Sequence, residues 1–316
     1  MKKILFFSTN RVHMARQEAL LEAMRKLGID VAVDDFNIKP GASNVDAGGT
    51  MARRSLEYAN GYLQVIEAHA PDMILVRGDR FEMLPVAMLA AYSGIPIAHI
   101  EGGDLSGAID NKVRHSITQL ADLHFVTNSD SHSRVIAMGA NPARVFNFGS
   151  LDVEFAMRVD PGSMEHPLDG EPYIVHAFHP VPGEEEDVLE WIRGSVGEDV
   201  EVVTIRPNGD YGRGEAKGTE FSNEKYLQLL YHAKCLVGNS SSFIKEASVY
   251  GTPVLDVGSR QANRLKPRNV FSVPYGEQYV RLGTRIQFEH DRYPLSEDYY
   301  HPQTSLKIAQ TILKFL

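Results

Sequence analysis

Cysteine is almost absent: Cys235 is the single one in 316 residues. It permits no internal disulfide and no cysteine-based zinc site, and it suits a reducing cytosol, so a cytoplasmic location is expected. Its apolar surroundings read as core. Long apolar runs are lacking too. The nearest approach, Met83–Ile100, is interrupted by Pro85, Gly94 and Pro96. It reads as a helix followed by a buried strand, so no membrane partner is expected. The opening MKKILFFSTN has too short an apolar run for a signal peptide and reads as a first strand. Positive charge is in deficit, with 32 Lys and Arg against 41 Asp and Glu for a net charge of −9. That excludes a uniformly basic nucleic-acid surface and leaves anion binding to local clusters. The 12 histidines are scattered and no His-Glu-x-x-His run occurs, so no bound metal is expected. A Gly-x-Gly-x-x-Gly fingerprint is missing after the first strand, and no cofactor is expected.

What is present is an ordinary globular composition, 43% apolar and 23% charged, with length for about two domains. Short apolar runs alternate with helical patterns. Candidate strands are Lys2–Phe7, Asp30–Asp34, Met73–Val76, Ile97–Ile100, Leu123–Val126 and Val145–Phe148. Helical patterns cover Met14–Leu27, Met51–His69, Phe81–Tyr92, Ile109–Leu120 and Ser131–Met138. Runs that are apolar on both faces and followed by a crossover helix are the mark of a parallel sheet. The pattern lapses across Leu151–Glu171, where Pro161, Gly162, Pro167 and Gly170 place a domain junction. It resumes with strands Tyr173–Ala177, Val200–Thr204, Cys235–Val237, Val254–Val257 and Val270–Val273. Helices are read over Glu184–Arg193, Asn223–His232, Phe243–Tyr250 and Pro302–Phe315. The expected fold class is α/β, two Rossmann-like doubly wound domains with a cleft between them. The expected division is residues 1–160 as a first domain carrying the acids, 171–300 as a nucleotide-binding domain, and 301–316 as a helix packing back on the first.

Four loops follow predicted strands directly. Arg77-Gly78-Asp79-Arg80 offers a glycine turn and an acid, which fits a helix cap as well as a functional group. His99-Ile100-Glu101-Gly102-Gly103-Asp104 puts a carboxylate at a strand end before two glycines. That sequence also suits an ordinary turn. Asp110 and Arg114 lie four apart at the start of a helix, as a common surface pair would. Asp79, Glu101 and Asp110 would nevertheless converge on one rim, where neighbouring acids can divide acid and base roles. Gly238-Asn239-Ser240-Ser241-Ser242 precedes a helix and could cradle an anion or simply cap it. Glu246, within that helix, could reach a ribose. Arg260, Arg264, Lys266 and Arg268 form a basic cluster in an acidic chain, fitting phosphate contact or a solvated loop. His179-Pro180 stands at a strand end facing the expected cleft.

Taken together, these loops resemble the UDP-N-acetylglucosamine 2-epimerase family, and within it the hydrolysing branch. The likeness runs through Gly78-Asp79-Arg80-Phe81-Glu82, His99-Ile100-Glu101-Gly102-Gly103, Gly107-Ala108-Ile109-Asp110 and Arg114-His115-Ser116-Ile117-Thr118. It continues through Phe178-His179-Pro180-Val181, Pro207-Asn208-Gly209-Asp210, Gly238-Asn239-Ser240-Ser241-Ser242 and Gly258-Ser259-Arg260-Gln261-Ala262-Asn263-Arg264-Leu265. The resemblance implies a GT-B-like pair of domains and a nucleotide-sugar substrate. It implies essential acids at Asp79, Glu101 and Asp110, with His179 and Arg114 near the diphosphate or sugar. It further implies phosphate contacts from Ser240 and Ser241, with Asn239, Ser242, Arg260 and Arg264 in the same group of loops. Glu246 would hold the ribose, and Arg11 would reach in from the first loop. The implied reaction is hydrolysing 2-epimerisation of an NDP-N-acetylhexosamine, either UDP-N-acetylglucosamine or a UDP-2,4-diacetamido-trideoxyhexose, on the way to a sialic-acid-like sugar. A non-hydrolysing 2-epimerase and a GT-B glycosyltransferase are the alternatives. A homodimer is a family expectation.

Overall fold

The computed structural model describes residues 1–7, 11–34, 50–106, 110–186, 188–205, 219 and 221–316, with backbone alone at 11–14, 50 and 51. The chain divides into two compact units. The first is built from Met1–Leu105, Ile109–Glu154 and His301–Leu316, and the second on Phe155–Tyr300.

In the first unit the elements run Lys3–Phe7 (β1), Arg11–Lys26 (α1), Asp30–Asp34 (β2), Thr50–His69 (α2), Met73–Arg77 (β3), Met83–Tyr92 (α3), Ile97–Ile100 (β4), Asp110–Leu120 (α4), Leu123–Val126 (β5), Ser129–Ala137 (α5), Val145–Asn147 (β6) and Leu151–Arg158 (α6). All pairings are parallel and the strand order is β2-β1-β3-β4-β5-β6. Strand residues alternate between two apolar layers. Ile4 and Phe6 join Leu75, Ile100 and Phe125 beneath α1, while Leu5 and Phe7 join Ile74, Val76 and Ile97 beneath α2, α3 and α4. Burial on both faces is why these strands read as unbroken apolar runs. The order reverses between β1 and β3, the switch point at which open α/β sheets bind ligands.

The second unit runs Tyr173–Ala177 (β7), Leu189–Arg193 (α7), Glu201–Thr204 (β8), Asn223–His232 (α8), Cys235–Gly238 (β9), Ser241–Lys245 (α9), Val254–Val257 (β10), Val270–Val273 (β11) and Glu277–Glu289 (α10). Its parallel sheet has the order β11-β10-β9-β7-β8, with the switch point between β7 and β9. Gly238 closes β9 at φ 148°, and a Cβ there would lie 2.0 Å from the Ala177 carbonyl of β7, so only glycine lets these strands end side by side. Thr304–Phe315 (α11) returns to the first unit, where Ile308 and Ile312 enter the core beside α1. Glu154 of α6 accepts a bond from the Ser305 backbone N–H (3.1 Å) and one from its hydroxyl, fixing the start of α11.

Some elements differ from expectation. Leu151–Glu171 does not open as irregular chain, because its first residues form α6. The helix read over Glu184–Arg193 is confined to α7, because Val181 and Glu184 pair across a turn and the Glu184 carboxylate accepts the Ser259 N–H at 2.9 Å. The helix read over Phe243–Tyr250 starts earlier, as α9, and continues as a 3-10 turn over Glu246–Val249. Helix α10 was not foreseen. Its inward positions are Val280, Gly283, Thr284 and Gln287, while Tyr279, Leu282 and Ile286 face out. Gly283 is there because Leu255 packs so closely that a Cβ would meet it at 2.5 Å. No helix among the described residues is long and apolar enough to cross a membrane.

Candidate active site

Beside the first switch point, β3 ends at Arg77 and the chain turns at Gly78, whose φ of 79° demands a residue without a Cβ. The Gly78 N–H donates to the Ile100 carbonyl at 2.9 Å, so the turn carrying Asp79 is bonded to the end of β4, where Glu101 follows. The Gly78 carbonyl lies 2.9 Å from His99 Nε2. A carbonyl only accepts, so Nε2 carries the proton. Burial drives the His99 pKa down to about 4, the ring is neutral, and Nδ1 is left as an acceptor 3.2 Å from the Thr118 hydroxyl of α4. His99 thereby ties the Asp79 turn to the helix that carries Asp110 and Arg114.

Glu101 has a φ of 70°, in the left-handed region that few side-chain-bearing residues enter. Its N–H donates to the Phe125 carbonyl at 2.9 Å. Gly102 follows, where a Cβ would lie 2.9 Å from His99 Nδ1, and then Gly103 at φ 79°. The loop is held from beneath by Asp104. Its buried carboxylate accepts bonds from Ser131 (2.6 Å), Asn128 (3.1 Å) and Thr127 (3.2 Å) at the start of α5.

Each of two predicted acids has its own arginine. Arg114, 3% exposed, donates through Nη1 to the Asp104 carbonyl (2.7 Å) and Asn111 Oδ1 (2.9 Å), and through Nη2 it pairs with Asp79. Arg77, 4% exposed, grips Glu101 Oε1 through Nε (3.0 Å) and Nη2 (2.6 Å). Arg77 Nη2 also lies 2.8 Å from Asp152 of α6, which pairs with Arg16 of α1 at 3.3 Å. Burial alone would depress the Arg77 pKa, but the Asp152 and Glu101 carboxylates raise it above the ordinary arginine value. Asp110, half-buried, is the first residue of α4, at the positive end of the helix dipole. Residues 107–109 before it lie outside the described residues.

The second unit gathers its predicted residues at its own switch point. His179 follows β7 and Asn239 follows β9. Asn239 Oδ1 accepts the His179 N–H (2.7 Å) and its Nδ2 donates to the His179 carbonyl (2.8 Å), so one buried amide locks the two loops together. The Asn239 carbonyl accepts bonds from Arg260 (2.8 Å) and Gln261 (3.0 Å), and Gln261 in turn accepts one from Arg264 (2.9 Å). Ser240 and Ser242 hydroxyls are 2.9 Å apart at the head of α9, and Ser242 also bonds Tyr226. Glu246 is buried in the 3-10 turn.

One expectation changes at this point, and others fall outside the described residues. Lys266 does not join a phosphate-facing cluster, because its ammonium pairs with the buried Asp256 at 2.7 Å and bonds Ser272 at 2.6 Å. The Arg11 side chain and the Pro207-Asn208-Gly209-Asp210 stretch lie outside the described residues. Sequence reading also passed over Arg77 and Asp152. Only a cation ending the otherwise apolar strand MILVR hinted at the first, and a partner 75 positions away (152 − 77) hid the second. No described group of three or more His, Cys, Asp or Glu side chains is placed to hold a metal ion.

Two doubly wound parallel units define a GT-B-like class of fold, and the likenesses agree. The family model for UDP-N-acetylglucosamine 2-epimerase matches residues 12–313, so the chain belongs to the UDP-N-acetylglucosamine 2-epimerase family. It is 34% identical over 227 residues to a UDP-N-acetylglucosamine 2-epimerase of Neisseria meningitidis, covering 65% of this chain and 60% of that one. It is 31% identical over 240 residues to a GDP/UDP-N,N'-diacetylbacillosamine 2-epimerase (hydrolyzing) of Campylobacter jejuni, covering 67% of this chain and 62% of that one. The chain therefore spans about three-fifths of the length of these curated relatives. Its fold matches a crystal structure of Methanocaldococcus jannaschii UDP-GlcNAc 2-epimerase in complex with UDP-GlcNAc and UDP. The TM-score there is 0.79 at 15% identity, over 100% of both chains.

Proposed function

We propose that the protein is a hydrolysing 2-epimerase of a nucleotide-linked N-acetylhexosamine, with Glu101 and Asp110 as the proton-transfer pair. The observation that carries this reading is the pair of adjacent strand-end acids, each bound to a buried arginine: Asp79 to Arg114 and Glu101 to Arg77.

The C2 proton of the sugar is not acidic while C1 keeps its diphosphate. As the C1–O bond breaks, its electron pair leaves with the diphosphate, C1 becomes cation-like and C2–H acidifies. One carboxylate takes that proton, giving a glycal with a C1–C2 double bond. Water then adds its oxygen to C1, and a proton returns to C2 on the opposite face. Delivery on two faces calls for two acid–base groups, which Glu101 and Asp110 supply. Asp79, held by Arg114, orients the sugar or stabilises the developing positive charge. The departing diphosphate is assigned to the Asn239–Ser242 loop with His179, Arg260 and Arg264, where backbone N–H groups and guanidinium charge suit an anion. Glu246 is assigned to the ribose and Arg11 to the phosphates. The products are NDP and the free C2-inverted sugar, a precursor of the sialic-acid type. The resemblance of the Campylobacter relative, itself named as hydrolysing, supports release of free sugar.

Incubation with UDP-N-acetylglucosamine and with its 2,4-diacetamido-trideoxy analogue in deuterated water tests the reading. Mass spectrometry should find free UDP and a free 2-epimer carrying deuterium at C2. A UDP-linked epimer would move the assignment to a non-hydrolysing enzyme. Turnover only with an added acceptor, without deuterium at C2, would make it a glycosyltransferase.

A further inference from the structure

We propose that Arg77 is a positioning residue for Glu101: its buried guanidinium fixes one oxygen of that carboxyl group, while the left-handed backbone of Glu101 sets the side chain's direction. This rests on the functional reading above, in which Glu101 exchanges the C2 proton.

The grip is geometrically specific. Nε and Nη2 of Arg77 converge on Oε1, at 3.0 and 2.6 Å, so the position of that oxygen is set by a rigid fork. A lysine ammonium has no such fork. Arg77 is itself fixed by Asp152 at 2.8 Å, and Asp152 by Arg16 at 3.3 Å, so β3, α6 and α1 all brace the Glu101 side chain.

The backbone points the same way. A φ of 70° is disfavoured for any residue with a Cβ and persists only where its surroundings over-determine it. Here they do. The Glu101 N–H is held by Phe125, Gly102 is packed against His99 and Thr118, and a Cβ at Gly103 would lie 2.6 Å from the Ser131 carbonyl. An ion pair serving stability alone would not need its acid on a disfavoured backbone at the carboxyl end of a strand. A base that must meet a C–H bond at a fixed angle does. In the step itself the C2–H proton goes to the Glu101 carboxylate, which becomes the acid, and Arg77 keeps its own protons throughout.

The test is a double-mutant cycle with Arg77→Lys, which keeps the charge and removes the fork, and Glu101→Gln. We expect Arg77→Lys to lower kcat about 100-fold with KM within about threefold. In the Glu101→Gln background the same change should cost no more than about threefold. Wild-type kcat in Arg77→Lys, or losses that multiply in the double variant, would overturn the proposal. The same four proteins are compared by thermal midpoint, which needs no turnover. Non-additive midpoints support the grip, and strictly additive ones count against it even if the wild type has a different activity. Absence of deuterium at C2 in wild-type product counts against the functional reading, not against the grip. Should Arg77→Lys fail to fold, Asp152→Asn, which loosens Arg77 from behind, is expected to lower kcat in the same selective way, and unchanged kcat there overturns the proposal.

Discussion

Arg114 and Asp79 form an ion pair that joins helix α4 to the left-handed turn after β3. One guanidinium serves three clients from three segments: Asp79, the Asp104 carbonyl and the Asn111 side chain. Breaking a fully buried pair costs about 3–5 kcal/mol. Asp79 is 28% exposed, so Arg114→Met is expected to cost nearer about 2–3 kcal/mol, read from urea unfolding. An unchanged unfolding midpoint would mean the guanidinium holds nothing.

Backbone strain at Glu101 predicts an unusual order of stabilities. Glu101→Gly and Glu101→Ala both remove the carboxylate that Arg77 grips, but alanine retains a Cβ in the left-handed region. Glu101→Gly should therefore be the more stable of the two by about 1–2 kcal/mol. Equal midpoints would show that the φ of 70° carries no strain.

Buried histidines give stability a pH dependence. Burial lowers both His99 and His124 from 6.5 to about 4. The unfolded chain takes up these protons near 6.5 and the folded chain only near 4. Their neutral forms thus favour the fold fully above 6.5, and that margin is lost as the pH falls towards 4. Each group can contribute a slope of about 1.4 kcal/mol per pH unit inside that window. Thermal midpoints should fall from pH 6.5 to 4, and His124→Asn should flatten the decline. A midpoint that holds steady across this range would remove the argument.

Lys266 and Arg264 should part company although they stand two residues apart. Lys266→Gln strands the buried Asp256 and should lower stability by about 2–3 kcal/mol, leaving UDP affinity unchanged. Arg264→Gln should weaken UDP about tenfold, a loss of about 1.4 kcal/mol, with little change in midpoint. Calorimetric titration with UDP and a thermal scan of each variant decide the matter, and the reverse pattern would return Lys266 to the phosphate loop.

The strands could be read in advance because parallel strands buried on both faces leave continuous apolar runs, as ILFF and MILV do. Helix α10 was missed, and its inward face joins Val280 to glycine, threonine and glutamine while leucine and isoleucine face outward. Tyr279, Leu282 and Ile286 do recur at i, i+3 and i+7, a helical period, but the face they mark is the exposed one. The acids at Asp79 and Glu101 were visible as strand-end carboxylates. Arg114 was singled out too, but beside Asp110 rather than Asp79, and Arg77 was passed over, because the contacts Arg77–Asp152 and Arg114–Asp79 join residues far apart in sequence. In the basic stretch after Gly258, Lys266 misled for a related reason. A lysine bound to a buried carboxylate looks, in sequence, like a lysine in solvent.

The return of α11 sets a timetable for assembly. The first unit begins with β1 yet leaves part of that sheet's covering layer to Ile308 and Ile312, some three hundred residues downstream, while the second unit rests mainly on Phe155–Tyr300. During synthesis the first unit must wait, with an oily flank still bare, until the ribosome has delivered α11. Such distant closure slows folding and makes that flank the place where a nascent chain would seek a chaperone.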